Sequence, residues 1–231
     1  ETAGALYDGQ RTFWAVRLPG ETVVTKRAAW LGGQDDVVAQ YLTVANGHDG
    51  TMGFHALVSP VRVVCSNTLA LAFSGAKARV SLRHVGNARD RVTLATQVLA
   101  IASASFAQAG EVWSAAAARK VTADEVAAFL AAVLPMPAKG EDGAAPSERA
   151  VANVEEARAI VGRDYTHGVG AAPGTAWGLL NAVSEYATHQ IVTPNGTAEG
   201  TTAKRINSWL NGRTLDLNMA ATAAVRELVL A

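Results

Sequence analysis

The periodicity of the chain changes once, at Asn87, and that change limits the fold more than any single motif does. Before it, apolar residues fall in short β-branched or alternating runs punctuated by Pro-Gly, Asn-Gly and other glycine-bearing turns. After it, Ala88 to about Ala118 is proline-free and alanine-rich, with Val92, Leu94, Val98, Leu99, Ala102, Phe106 and Trp113 placed for one face of a long helix. Strands and helices segregated along a chain, rather than alternating, predict an α+β fold with a mainly antiparallel sheet. The expectation is a single domain in which residues 1–87 form the sheet and 88–231 the helical part packed on it. Hydrophobic residues make up 49% of the chain, enough for one sizeable core.

Within the first third, Thr12 to Leu18 and Glu21 to Lys26 read as two strands joined by a Pro19-Gly20 turn, and Gln34-Asp35-Asp36 as an interruption before a third strand, Val37 to Ala45. Asn46 to Gly50 is turn chemistry, Met52 to Val58 resumes an extended run, and Pro60 fits an edge or a bulge. Ser66 or Asn67 is placed to cap a short helix through Phe73, and Ala78 to Val85 alternates as a half-buried strand does. In the helical part, Thr122-Ala123-Asp124-Glu125 is a capping box and Pro135 ends the helix it opens. Ala138 to Pro146 reads as loop, Ser147 caps a helix through Ile160, and Asp164 to Gly174 reads as a glycine-rich loop. Thr175 starts a helix to about Ile191, and the last helix covers Asp216 to Leu230.

Several chemistries are absent from the sequence. There is no GxxxxGK[ST] phosphate loop, no HExxH, no GxSxG and no paired-cysteine zinc spacing. Gly168-Val169-Gly170 matches part of a dinucleotide fingerprint but lacks the third glycine and a surrounding βαβ unit, so no cofactor is expected. Twenty basic and twenty acidic residues cancel, so any attraction to nucleic acid must be local. No apolar run approaches the roughly 18 residues a membrane span needs. A single cysteine excludes an intrachain disulfide and suits the cytoplasm of a bacterial host. The opening at Glu1, inside what reads as a hairpin in progress, suggests a fragment or processed chain that lacks an N-terminal segment.

The local charge is found between Pro60 and Val92, where Arg62, Lys77, Arg79, Arg83, Arg89 and Arg91 face only Asp90, a net +5 in a neutral chain. On one strand, Lys77, Arg79 and Arg83 share parity opposite Val80 and Leu82, a row spaced to follow the phosphates of a stretched single strand. The rival reading is a solvated edge strand whose charges prevent aggregation. Cys65 lies in an apolar run where a packing role is usual; as a nucleophile it would need His84 or His55 as base. Asn67 is a turn or helix cap, or a base contact through its amide. Asn181, Glu185 and His189 recur at helical spacing as a solvated or interface stripe, and His48-Asp49 belongs to a turn.

The stretches VSPVRVVCSNTLALA, ARVSLRHVGN and TAWGLLNAVSEY resemble the phage and plasmid proteins grouped as the DUF932 family, over essentially the whole chain. The resemblance names no reaction; its setting implies DNA replication, recombination or counter-defence. The layout of a strand meander leading into a long helix is also similar to single-strand annealing proteins of the Rad52 and Redβ type, by analogy alone. Two hypotheses follow. One is a homo-oligomeric protein that binds single-stranded DNA without catalytic turnover, through Arg62, Asn67, Lys77, Arg79, Arg83 and His84. The other is an interaction or self-assembly module of a mobile element with no DNA contact. An enzyme built on Cys65 is a third reading.

Overall fold

The computed structural model describes residues 2–6, 9–50, 53–63, 67–68, 72–73, 76–77, 79–82, 88–140, 143–191, 204, 208 and 212–230. Its strands are β1 (Thr2–Leu6), β2 (Arg11–Ala28), β3 (Gln34–Gly47), β4 (Phe54–Arg62), β5 (Asn67–Thr68), β6 (Ala72–Phe73), β7 (Ala76–Lys77) and β8 (Arg79–Leu82). Its α-helices are α1 (Ala88–Ala118), α2 (Ala123–Val133), α3 (Glu148–His167), α4 (Ala176–Glu185) and α5 (Arg213–Leu230). The six-stranded sheet runs β1-β2-β3-β4-β5, with β8 also on β4, and every pairing is antiparallel. The fold is α+β.

Pro19-Gly20 does not turn the chain. β2 runs straight through it and pairs with β3 on both sides, Arg17 opposite Tyr41 and Glu21 opposite Ala39, so Leu18 to Gly20 together oppose Gln40 alone. A bulge asks no ladder hydrogen bond of the proline, which explains how a breaker sits inside an 18-residue strand. The chain instead reverses at residues 29–33, where a short 3₁₀ turn follows Arg27, a left-handed residue whose N–H donates to Asp35 Oδ1 at 2.8 Å. Gln34 to Asp36 are therefore strand, not interruption. Pro60 lies within β4, buried, between the stretch registered with β8 and the stretch registered with β5. Strand pairing at Asn67–Thr68 and Ala72–Phe73 replaces the short helix that the sequence suggested there.

The helices cover one face of the sheet. Val24, Val38 and Val58 meet Phe106, Trp113, Trp177 and Leu180 in a single core. Trp113 is its centre, edge-on to Phe106 at 5.6 Å and tilted against Trp177 at 6.3 Å. α1 crosses β2 closely enough that a Cβ at Gly110 would stand 2.8 Å from Thr22 Cγ2, so the helix keeps its glycine for contact and does not break there. α4 is buried at every position, its polar Asn181, Ser184 and Glu185 included. α3 continues past Ile160 to His167, and α4 passes into a π-helical turn over Tyr186–Gln190. The capping box at Thr122 and the Ser147 and Thr175 caps form as their local sequence dictates. No described helix is long and apolar enough to cross a membrane.

Candidate functional site

Arg62 is the first of the predicted DNA contacts in the sequence, and its placement withdraws it. Its side chain is 0% exposed and forms a fork on Asp36, Nε to Oδ1 and Nη2 to Oδ2 each at 2.6 Å. Nη1 donates to the carbonyl of Gly170, and the guanidinium lies 5.4 Å from the Trp177 ring centroid. Asp36 also accepts the indole N–H of Trp177 at 2.9 Å and of Trp30 at 3.2 Å. An arginine in an apolar run buries only if a carboxylate neutralises it, because an unpaired charge in a dry core costs several kcal/mol. This cluster joins β3, β4 and α4, and its chemistry is structural: all three nitrogens of the guanidinium are engaged inside the chain, and the fully buried side chain is out of reach of a ligand anion.

The Gly168-Val169-Gly170 segment takes part in the same region. The N–H groups of Val169 and Gly170 each donate to the Glu185 carboxylate at 3.2 Å. Successive amides curled around an anion make a nest, and here the anion comes from the chain itself. A Cβ at Gly168 would stand 2.6 Å from Glu185 Oε2, so the glycine is required by this close approach. The Asn181, Glu185, His189 stripe is correspondingly not solvated: Asn181 and Glu185 are buried and only His189 is exposed. Asn181 Nδ2 donates to the Trp177 carbonyl at 2.8 Å.

The other predicted contacts divide. Asn67 lies in β5 opposite Arg62, Lys77 in β7 opposite Ala72, and Arg79 in β8 opposite Leu57. Lys77 and Arg79 are thus on different strands, the first in a separate two-stranded ribbon, so they do not form one continuous row. Arg83, His84 and Cys65 lie outside the described residues. Arg89 and Arg91 fall in the opening turn of α1, and α1 packs beside β8. His55 is buried in β4 with Ser81 opposite. His48 and Asp49 serve their turn: the His48 N–H donates to Gln10 O at 2.6 Å, and Asp49 pairs with Arg11 at 3.1 Å.

Among the described residues, two groups have shifted acidities. The Thr122 backbone N–H and the Arg119 guanidinium hold the Glu125 carboxyl below the usual range, and burial raises the Tyr165 phenol, whose oxygen accepts the Gly174 N–H at 2.7 Å. Both belong to helix caps and packing. Among the described residues no three His, Cys, Asp or Glu side chains come together to hold a metal.

Sequence reasoning missed Asp36 as the partner of Arg62. The available signal was an acid directly before the apolar run Val37 to Ala45 and an arginine inside another, since charges so placed need each other. Against known proteins, the family model described as "Domain of unknown function (DUF932)" matches residues 1–210. No curated protein and no solved structure matches.

Proposed function

The chain belongs to the DUF932 family, whose description carries no activity, and from that premise we propose that it binds single-stranded DNA along a basic sheet edge without catalytic turnover. The observation that carries this reading is the clustering of charge. With Arg62 paired inside the core, Lys77, Arg79, Arg83, Arg89 and Arg91 against Asp90 still leave a local net +4 in a chain of zero net charge. Of these, Lys77 lies in β7, Arg79 in β8 where it adds to β4, and Arg89 and Arg91 in the opening turn of α1. Phosphate neutralisation by four such cations gives affinity that falls with salt, with a log–log slope of about −3 for a single strand. Annealing, recombination or strand protection in a mobile element are the roles this binding would serve.

The test is anisotropy titration at low salt with single-stranded and duplex oligonucleotides. Lys77→Glu with Arg79→Glu should abolish most single-strand affinity; unchanged affinity would remove the reading.

One observation favours a second reading, self-association. β1, with sequence TAGAL, is a sheet margin without charge or proline, whereas the β8 margin carries Arg79. An unguarded margin pairs readily with another strand, and the partner would be a second copy of this chain. Light scattering distinguishes the two: ordered oligomers with no DNA shift at low salt select self-association alone.

A further inference from the structure

A groove of about 360 Å³ opens between α2 and α5, lined by Ala128, Phe129 and Ala132 on one side and by Ala224 and Leu228 on the other. After its first turn α2 exposes no polar side chain: its exposed positions are Ala127, Ala128, Ala131 and Ala132. α3 exposes Arg149, Asn153, Glu155, Glu156 and Arg163 instead, as a solvated helix does. Arg119 marks one end of the groove, donating from Nη2 to Glu125 at 2.6 Å and from Nε to the Leu228 carbonyl at 3.0 Å. Asp124 and Glu227 are exposed at that end, and one turn past Glu227 the side chain of Leu230 is 81% exposed. Past the opposite end of α2, Met136 is 42% exposed and Lys139 is exposed too. Among the described residues Asp124, Glu227 and Lys139 have no ion-pair partner.

We propose that this groove is a contact surface between two copies of the chain, related by a two-fold axis that sets α2 antiparallel to its counterpart. The two ends complement each other: acid beside exposed Leu230 at one, base beside exposed Met136 at the other. A two-fold axis at the level of Leu130 sets Ala128 opposite the second copy's Ala132 and Asp124 opposite its Met136. Met136 then covers Leu230, and Lys139 comes within reach of Asp124 and Glu227. An isologous contact makes each of these pairings twice. Alanine walls let the helix axes approach to about 8 Å, the close limit of helix packing. Glu125 takes no part, because Arg119 and the Thr122 N–H already hold it. The proposal rests on self-association, the second reading above, and assigns it to the helical side of the molecule instead of the β1 margin.

Sedimentation equilibrium of the full chain should show dimers. Ala128→Arg with Ala132→Arg, both at exposed positions that a monomer tolerates, should weaken the dimer by roughly tenfold or more by setting like charges against each other. Circular dichroism and the thermal midpoint of the monomer should stay as in the natural chain. In a Cys65→Ser background, mixed Ala128→Cys and Ala132→Cys chains should form disulfide-linked pairs more readily than either variant alone under the same aerobic oxidation. Equal cross-linking in all three samples overturns the antiparallel register. Monomers at every concentration overturn both this surface and self-association. Dimers that withstand the double arginine variant overturn this surface alone, and their loss with Ala3→Lys and Ala5→Lys returns the contact to the β1 margin.

Discussion

Arg62 shows how one side chain can look like a ligand contact and act as a keystone. Its two 2.6 Å contacts to Asp36 are a bidentate charge pair with 0% exposure on both partners. Arg62→Met leaves the Asp36 carboxylate buried with only indole donors and should cost about 3–5 kcal/mol in urea unfolding. Adding Asp36→Leu should restore much of that loss, since a matched apolar pair carries no stranded charge. In conditions where Arg62→Met is folded, its DNA affinity should equal that of the natural chain; a drop in affinity at unchanged fold would return Arg62 to the ligand. At this scale the sequence was legible only as tension: charged residues within apolar runs announce a partner, but Asp36 lies 26 positions away and nothing local names it. The capping residues Thr122 and Glu125 were legible because cap and partner are three residues apart.

At the scale of elements, α1 was readable to its ends because a 31-residue helix repeats its signal many times. Pro19-Gly20 misled because a bulge and a turn use the same residues, and only the register with β3 separates them. Gly110 carries a prediction that reverses a general rule. In an exposed helix, glycine to alanine stabilises by about 1 kcal/mol. Here the new Cβ meets Thr22 Cγ2 at 2.8 Å, so Gly110→Ala should destabilise, and Gly110→Val should cost about 1–3 kcal/mol. Combining Thr22→Ala with Gly110→Ala should recover stability relative to Gly110→Ala alone, measured by the same denaturant midpoints; additive losses would refute the contact.

For the whole molecule, the boundary at Asn87 separates two kinds of periodicity, yet residues from both sides of it pack in one core. Val38 and Val58 of the sheet share one core with Trp113 and Trp177 of the helices, and the Asp36 cluster crosses the same seam. Tryptophan fluorescence and far-ultraviolet circular dichroism should therefore report coincident unfolding midpoints; a helical part that melts separately from the sheet would contradict a common core. The order of the elements, strands first and helices after, was legible from the change of periodicity. The partition of the charged residues between core and margin was not, since it depends on which side of a strand each meets.

The loop at 168–170 turns its amide hydrogens inward, onto a carboxylate from α4. A search that treats Gly-X-Gly as a berth for nucleotide phosphate would land on this segment and find the berth already taken by Glu185. What resembles an entrance for a coenzyme is an internal fastening, one that ties the end of α3 to the end of α4.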